Sequence, residues 1–176
     1  RYIDAVETQQ PVEFEEQIAQ SGLWLEVHAY PTMDGASIFF RDLSRSALRS
    51  DLATALARGQ FELVYQPILD LRSGGVSGFE VLLRWRHPEK GMIAPDSFIP
   101  LAEESGLINE IGDWVLRNAC AEAATWPPGI SLAVNLSTRQ FASPDLADKV
   151  SNALAASGLD RDRLELEITE SVLLKD

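Results

Sequence analysis

The chain has 176 residues, 45% of them hydrophobic and 24% charged, and carries a formal net charge of −12. That acidity excludes a nucleic-acid-binding surface spread over the fold, yet leaves room for a small anionic ligand at a local arginine and for divalent cations. One cysteine, Cys120, excludes an internal disulfide framework, and with only His28 and His87 as histidines any metal must be held by oxygen ligands rather than in a zinc site.

No run approaches the ~18 apolar residues that a spanning helix needs, and no basic-then-apolar signal pattern opens at Arg1. The expected location is the cytoplasm. Because the first residue is not Met, upstream sequence is expected, and a longer parent could be membrane-anchored through it.

Residues 1–10 read as the end of a helix or loop stopped by Pro11. Strands are expected at 12–18, 23–30 and 36–41, separated by turn chemistry at Ser21-Gly22 and at Pro31-Thr32-Met33-Asp34-Gly35. Alternation sets Trp24, Glu26 and His28 on one face and Leu23, Leu25, Val27 and Ala29 on the other, which predicts an antiparallel meander with one packed side. His28 reads as an ordinary residue of the wetter face. The Gly-Leu-Trp-Leu-Glu-Val run, the Tyr-Pro…Asp-Gly turn and the ending Ile38-Phe39-Phe40-Arg41-Asp42-Leu43-Ser44 resemble the last three strands of a PAS sensor domain. The resemblance spans residues 1–44 without the helical front half that would form a ligand pocket, so it implies no cofactor there.

The pattern is helical over 47–58, with Leu48, Leu52, Ala55 and Leu56 on one stripe and Gly59 placed to end it. Residues 45–60 are therefore expected to form a connector helix. Strands at 61–69 and 76–86 follow, joined by Asp70-Leu71-Arg72-Ser73-Gly74-Gly75, a join that allows a hairpin and no parallel crossover. In the second strand Phe79, Val81, Leu83 and Trp85 share one side, while Glu80, Leu82, Arg84 and Arg86 share the other. The bulky face calls for burial under helices. If the charged face is also enclosed, it calls for a cation or an anionic ligand bridging toward Arg84; a solvated edge strand is the alternative.

Further on, Asp96 or Ser97 starts a short helix through Phe98 that Pro100 resets. A long helix is expected over 107–125, using Leu107, Ile108, Ile111, Val115 and Ala119, and Pro127-Pro128-Gly129 stops it. A strand at 130–137, a helix opened by Ser143-Pro144 with the stripe Leu146, Val150, Ala153 and Leu154 and closed by Gly158, and a strand at 164–171 complete the chain. Helices between strands predict parallel crossovers. Ile130, Leu132, Val134 and Leu136 oppose Ser131, Ala133, Asn135 and Ser137, and Leu164, Leu166 and Ile168 oppose Glu165, Glu167, Thr169 and Ser171. Bulk on one face only favours a barrel over a doubly wound sheet. A (β/α)8 barrel takes ~250 residues and eight strands, so the expected fold class is α/β, the opening half of a modified TIM-like barrel with its first strand antiparallel, preceded by a partial antiparallel PAS-like sheet. Half a barrel leaves an open edge, and the isolated chain is expected to be marginally stable, aggregation-prone or dependent on a missing partner segment.

On the inward faces, near the carboxyl ends of three strands, sit Glu80, Asn135 and Glu167, hard oxygen donors that suit Mg2+ or Mn2+. Arg84 lies closer to the mouth, where a guanidinium can grip a phosphate. Gln66 faces inward with Val64 and Ile68. Each has a bland alternative: Asn135 capping a turn, Glu167 pairing with an arginine, Gln66 solvated.

The runs Phe61-Glu62-Leu63-Val64-Tyr65-Gln66-Pro67-Ile68, Glu80-Val81-Leu82-Leu83-Arg84-Trp85, Pro95-Asp96-Ser97-Phe98-Ile99-Pro100-Leu101-Ala102-Glu103, Asn135-Leu136-Ser137 and Glu165-Leu166-Glu167-Ile168-Thr169-Glu170-Ser171 resemble, in order and spacing over 61–176, the EAL domain family of cyclic di-GMP phosphodiesterases. The signature tripeptide here is Glu-Val-Leu, its valine on the outward face. The resemblance implies that Glu80, Asn135 and Glu167 hold Mg2+ or Mn2+, that Arg84 contacts a substrate phosphate, that Gln66 helps hold the dinucleotide and that Glu170 braces an active-site loop. It also implies a catalytic part for Glu80, Glu167 and Glu170 in opening cyclic di-GMP to linear pGpG. The family's aspartate pair and lysine would lie beyond Asp176, so residues 61–176 are read as the first half of the domain, and the 176 residues alone are expected to be inactive. A non-catalytic cyclic di-GMP receptor signalling through the connector is the alternative, and a homodimer through the PAS-like and EAL parts stays open.

Overall fold

A computed structural model describes residues 2–18 and 23–168. The chain divides into two compact units, residues 1–51 and 52–176. The first contains helix α1 (Tyr2–Thr8) and strands β1 (Val12–Ile18), β2 (Leu23–Thr32) and β3 (Gly35–Asp42), antiparallel in the order β1-β2-β3. α1 packs on β2 and β3, and Ala5, Val27 and Ala29 are buried. The β2–β3 turn is tighter than the sequence suggests: β2 runs through Pro31 to Thr32, which pairs with Gly35. β1 ends opposite Ala29, so Pro31 sits where only one neighbouring strand remains. The Ser21-Gly22 turn lies outside the described residues.

His28 is less ordinary than its strand position suggests. Its Nδ1 donates to Glu13 Oε1 at 2.9 Å and its Nε2 lies 3.3 Å from Glu26 Oε2, which Arg41 also reaches. A carboxylate at each ring nitrogen favours the imidazolium, so the Glu26 and Glu13 hydrogen bonds raise the His28 pKa above its ordinary 6.5, and the His28 contact lowers that of Glu26 below 4.5. The stabilisation from a raised histidine is complete below 6.5 and is lost as pH rises through the folded value. That from a depressed carboxylate is present above 4.5 and is lost as pH falls through its folded value. The cluster should therefore be strongest between those limits and weaken in high salt. NMR titration should place the His28 midpoint above 6.5 and lower it in Glu26→Gln; a midpoint at or below 6.5 would contradict the pairing.

Helix α2 (Leu43–Ala55) begins and ends earlier than the periodicity over 47–58 predicts. Turn bonds from Arg58 to Thr54 and from Gly59 to Leu56 take over beyond Ala55, and Gly59 adopts φ +62°. The boundary between the two compact units falls inside this helix, at 51/52.

The second unit is mixed α/β. Strands β4 (Phe61–Leu69), β5 (Val76–His87), β7 (Ser131–Leu136) and β8 (Leu164–Ile168) lie in that order, with the short β6 (Gly91–Ile93) on β5. β4 and β5 form the antiparallel hairpin their short join requires, while β5, β7 and β8 are parallel. Between the parallel strands come helices α3 (Pro95–Ser105), α4 (Ile108–Ala123), α5 (Thr138–Phe141) and α6 (Leu146–Ser157), then a short 3-10 turn at Arg161–Arg163.

The apolar strand face is buried as its bulk demands: Val81, Trp85, Leu132, Val134 and Leu136 are at most 3% exposed. The rings of Phe61 and Phe98 lie within 6.0 Å of Trp85, and the Trp85 indole donates to Gln60 Oε1. α4 contributes Ile108, Ile111, Val115 and Ala119, the expected stripe, though it spans two residues fewer at the C-terminal end than 107–125. Pro100 does not reset α3. The helix runs through it because Phe98, Leu101 and Ala102 are fully buried around it, and such burial outweighs the ~3 kcal/mol an interior proline costs. Arg163 ties β8 to the helix layer by donating to Ile130 O and Ala123 O, the latter in the last turn of α4. The strand expected to reach 171 is described only to Ile168.

Candidate functional site

Because side chains alternate along a strand, burying one face of the second unit's sheet leaves the other as a polar row. Register places Gln66 opposite Glu80 across β4 and β5, and Asn135 opposite Glu167 across β7 and β8. Glu80 is level with Ala133, two residues before Asn135 on the same face. Four strands thus bring Gln66, Glu80, Asn135 and Glu167 to one side of the sheet.

Glu80 and Asn135 touch. Asn135 Nδ2 donates to Glu80 Oε1 at 2.6 Å, joining residues 55 apart in the chain. The bond fixes the amide with its carbonyl oxygen free, and among the described residues neither Asn135 Oδ1 nor Glu80 Oε2 has a hydrogen-bond partner. Glu167 stands beside Asn135 on the exposed strand β8, and no arginine among the described residues pairs with it. Asn135 does not cap a turn; Ser137 has that role. Gln66 is exposed, and Glu170 lies outside the described residues.

Two carboxylates and an amide carbonyl form an all-oxygen donor set, the chemistry that suits Mg2+ or Mn2+. No three His, Cys, Asp or Glu side chains meet at one point among the described residues, so a cation here would depend on the Asn135 amide as well as on the acids.

Arg84 occupies the same face, four residues beyond Glu80. It is half-buried, its Nη1 donates only to the Leu83 carbonyl at 2.9 Å, and no carboxylate among the described residues pairs with it. Glu62, its register partner on β4, is instead gripped by Arg86 through Nε at 3.2 Å and Nη2 at 2.8 Å. An uncompensated guanidinium on the same sheet face as a hard-donor set is an arrangement that could hold a phosphate oxygen.

On the opposite, helix-covered face of the sheet, β5 and β7 wall a cavity of about 220 Å3 with α3 and α4, where Val81, Leu83, Val134 and Leu136 meet Ile99, Ile108, Ile111 and Val115. Among the described residues, neither Cys120 nor Tyr65 is a ready nucleophile. Cys120 is buried and its thiol is pushed up to about 11 by desolvation, while burial pushes the half-buried Tyr65 up to about 12.

Sequence reading missed one part of the site's frame. Ser137 and Gln140 form a capping box at α5, the turn that directly follows β7, and the Ser-x-x-Gln spacing was the available signal.

Comparison with known proteins locates these features in a family. The model of the EAL domain matches residues 49–176. The chain is 52% identical over 133 residues to the uncharacterized protein y4lL of Sinorhizobium fredii, covering 76% of this chain and 16% of that protein. It is 47% identical over 133 residues to MucR of Pseudomonas aeruginosa, named a bifunctional diguanylate cyclase/cyclic di-GMP phosphodiesterase, covering 73% of this chain and 19% of MucR. Among solved structures, the MucR phosphodiesterase in complex with cyclic di-GMP superposes with a TM-score of 0.70 at 46% identity, over 74% of this chain and 54% of that one. The chain therefore spans less than a fifth of the length of either of these two relatives.

Proposed function

The chain belongs to the EAL domain family, and from that premise we propose that the full-length protein hydrolyses cyclic di-GMP to linear pGpG. The observation that carries the reading is the Asn135–Glu80 contact, which unites oxygen donors from two strands on the face that also carries Arg84, an arginine that no carboxylate among the described residues neutralises. In this reading Glu80, Asn135 and Glu167 hold Mg2+ or Mn2+, Arg84 grips a phosphate oxygen and Gln66 steadies the dinucleotide. Glu170, outside the described residues, would brace an active-site loop. A divalent cation held by these donors supplies a more acidic water and offsets charge at the attacked phosphorus.

The chain's own groups set the geometry. Asn135 holds Glu80 Oε1 through its amide N–H, which leaves the second carboxylate oxygen to face the ligand. Arg84 fixes the phosphate relative to the oxygen donors, so that water adds to phosphorus while one ribose oxygen departs. Residues 61–176 would form the opening half of a (β/α)8 barrel whose first strand is antiparallel; the β4–β5 hairpin followed by parallel β7 and β8 supports this. Residues 1–44 would be the last strands of a PAS-like module and 45–60 the connector, which the antiparallel meander and α2 support.

Chromatography of the full-length protein incubated with cyclic di-GMP and Mg2+ or Mn2+ tests the reading. The expected result is pGpG, abolished by chelation. Binding without pGpG would replace the enzyme by a cyclic di-GMP receptor, and absence of both would overturn the assignment.

A further inference from the structure

Asn135 is exposed, and its side chain is held by one hydrogen bond, to Glu80. An exposed amide on the last turn of a strand keeps its direction only if the backbone beneath it is fixed. Two residues later the chain leaves the sheet at Ser137, and there the structure is tightly made. The Ser137 N–H donates to Gln140 Oε1 at 3.1 Å, and the Gln140 N–H donates to Ser137 Oγ at 3.3 Å. Gln140 is only 7% exposed, one of two buried polar residues among those described. Its amide end rests against α4 at Gly112, where any Cβ would overlap Gln140 Nε2 and crowd Cδ at 2.7 Å. A glycine inside a helix costs about 1 kcal/mol relative to alanine. α4 accepts that cost at the one place where the Gln140 amide needs the room.

We propose that Gln140, seated in the notch at Gly112, is a positioning residue that pins the carboxyl end of β7 to α4 and thereby holds the Asn135 amide over Glu80. The proposal rests on the phosphodiesterase reading for its consequence, and on geometry alone for its mechanism. The pin acts through a single acceptor, Gln140 Oε1, on the Ser137 N–H. Leucine at 140 fills the volume and removes that acceptor; glutamate keeps it.

The test uses the full-length protein and two readouts. Mn2+ affinity, followed by loss of the free-ion electron paramagnetic resonance signal, should weaken about tenfold in Gln140→Leu and in Gly112→Ala, the scale on which groups behind metal ligands act. Gln140→Glu should stay within about threefold of the parent, as expected where the acceptor survives. The second readout needs no metal: the Asn135 side-chain amide resonance, identified by its loss in Asn135→Asp, should move toward the free-asparagine position in Gln140→Leu and not in Gln140→Glu. Should Gly112→Ala fail to fold by circular dichroism, the Leu and Glu pair at 140 decides alone. Unchanged affinity and an unmoved amide in folded Gln140→Leu, or equal losses in Leu and Glu, would overturn the positioning role. A parent protein that binds no Mn2+ while its amide responds as described would instead sink the metal-dependent reading and leave the pin standing.

Discussion

Glu80→Gln in the full-length protein should lower pGpG formation at least about 1000-fold, which is about 4 kcal/mol of transition-state stabilisation. The substitution is nearly isosteric. A glutamine oxygen can still accept from Asn135 Nδ2, so the 2.6 Å bridge between β5 and β7 survives and only the negative charge is removed. Groups that merely orient a metal ligand cost 10–100-fold when lost; a ligand that also carries charge to the cation should cost more. Measured by chromatography of product at saturating Mg2+, with the thermal midpoint unchanged, that loss would locate the chemistry on the polar face of β5. Activity within about tenfold of the parent, on the same scale, would remove Glu80 from the ligand set.

Trp85→Ala should give the largest loss of stability, about 3–5 kcal/mol. The ring is completely buried, lies 5.6 Å from the Phe98 ring and 6.0 Å from the Phe61 ring, and its indole N–H satisfies Gln60. Truncation leaves a void between β4, β5 and α3 and orphans the Gln60 oxygen. Urea denaturation followed by circular dichroism should show the midpoint of the second unit falling by about 2 M, given the usual slope of 1–3 kcal/mol per molar. Trp85→Phe should recover most of it. A shift under about 0.5 M, well below that slope's expectation, would mean that this ring does not anchor the sheet. Function would fall with stability here, because Trp85 and Arg84 are neighbours on opposite faces of one strand. What packs the first presents the second.

How far the site could be read without coordinates differs from residue to residue. The faces of β5 follow from its spelling: alternate residues point opposite ways in any strand, so a greasy set at 79, 81, 83 and 85 forces 80 and 84 to the other side. The hairpin was equally legible, since the residues between β4 and β5 cannot make a parallel crossover. Pro100 misled because its penalty is local and visible, whereas the burial of Phe98, Leu101 and Ala102 that overrides it is tertiary. α5 escaped notice although its Ser-x-x-Gln spacing was in plain view, because a helix of four residues offers no periodicity.

By itself the sequence determined the four long strands and the helices α4 and α6 of the second unit, which face of each strand is apolar, that the available ligands are oxygens, and through its motifs the family. Only the tertiary structure decided that Glu80 stands level with Ala133 so that Asn135 reaches across to it, that Arg86 rather than Arg84 takes Glu62, and that the Gln140 amide finds room at Gly112. The reason is range. Side-chain direction is set by covalent geometry within two or four residues, but register and choice of partner depend on contacts between residues tens of positions apart, whose energies are fixed only when the whole sheet packs.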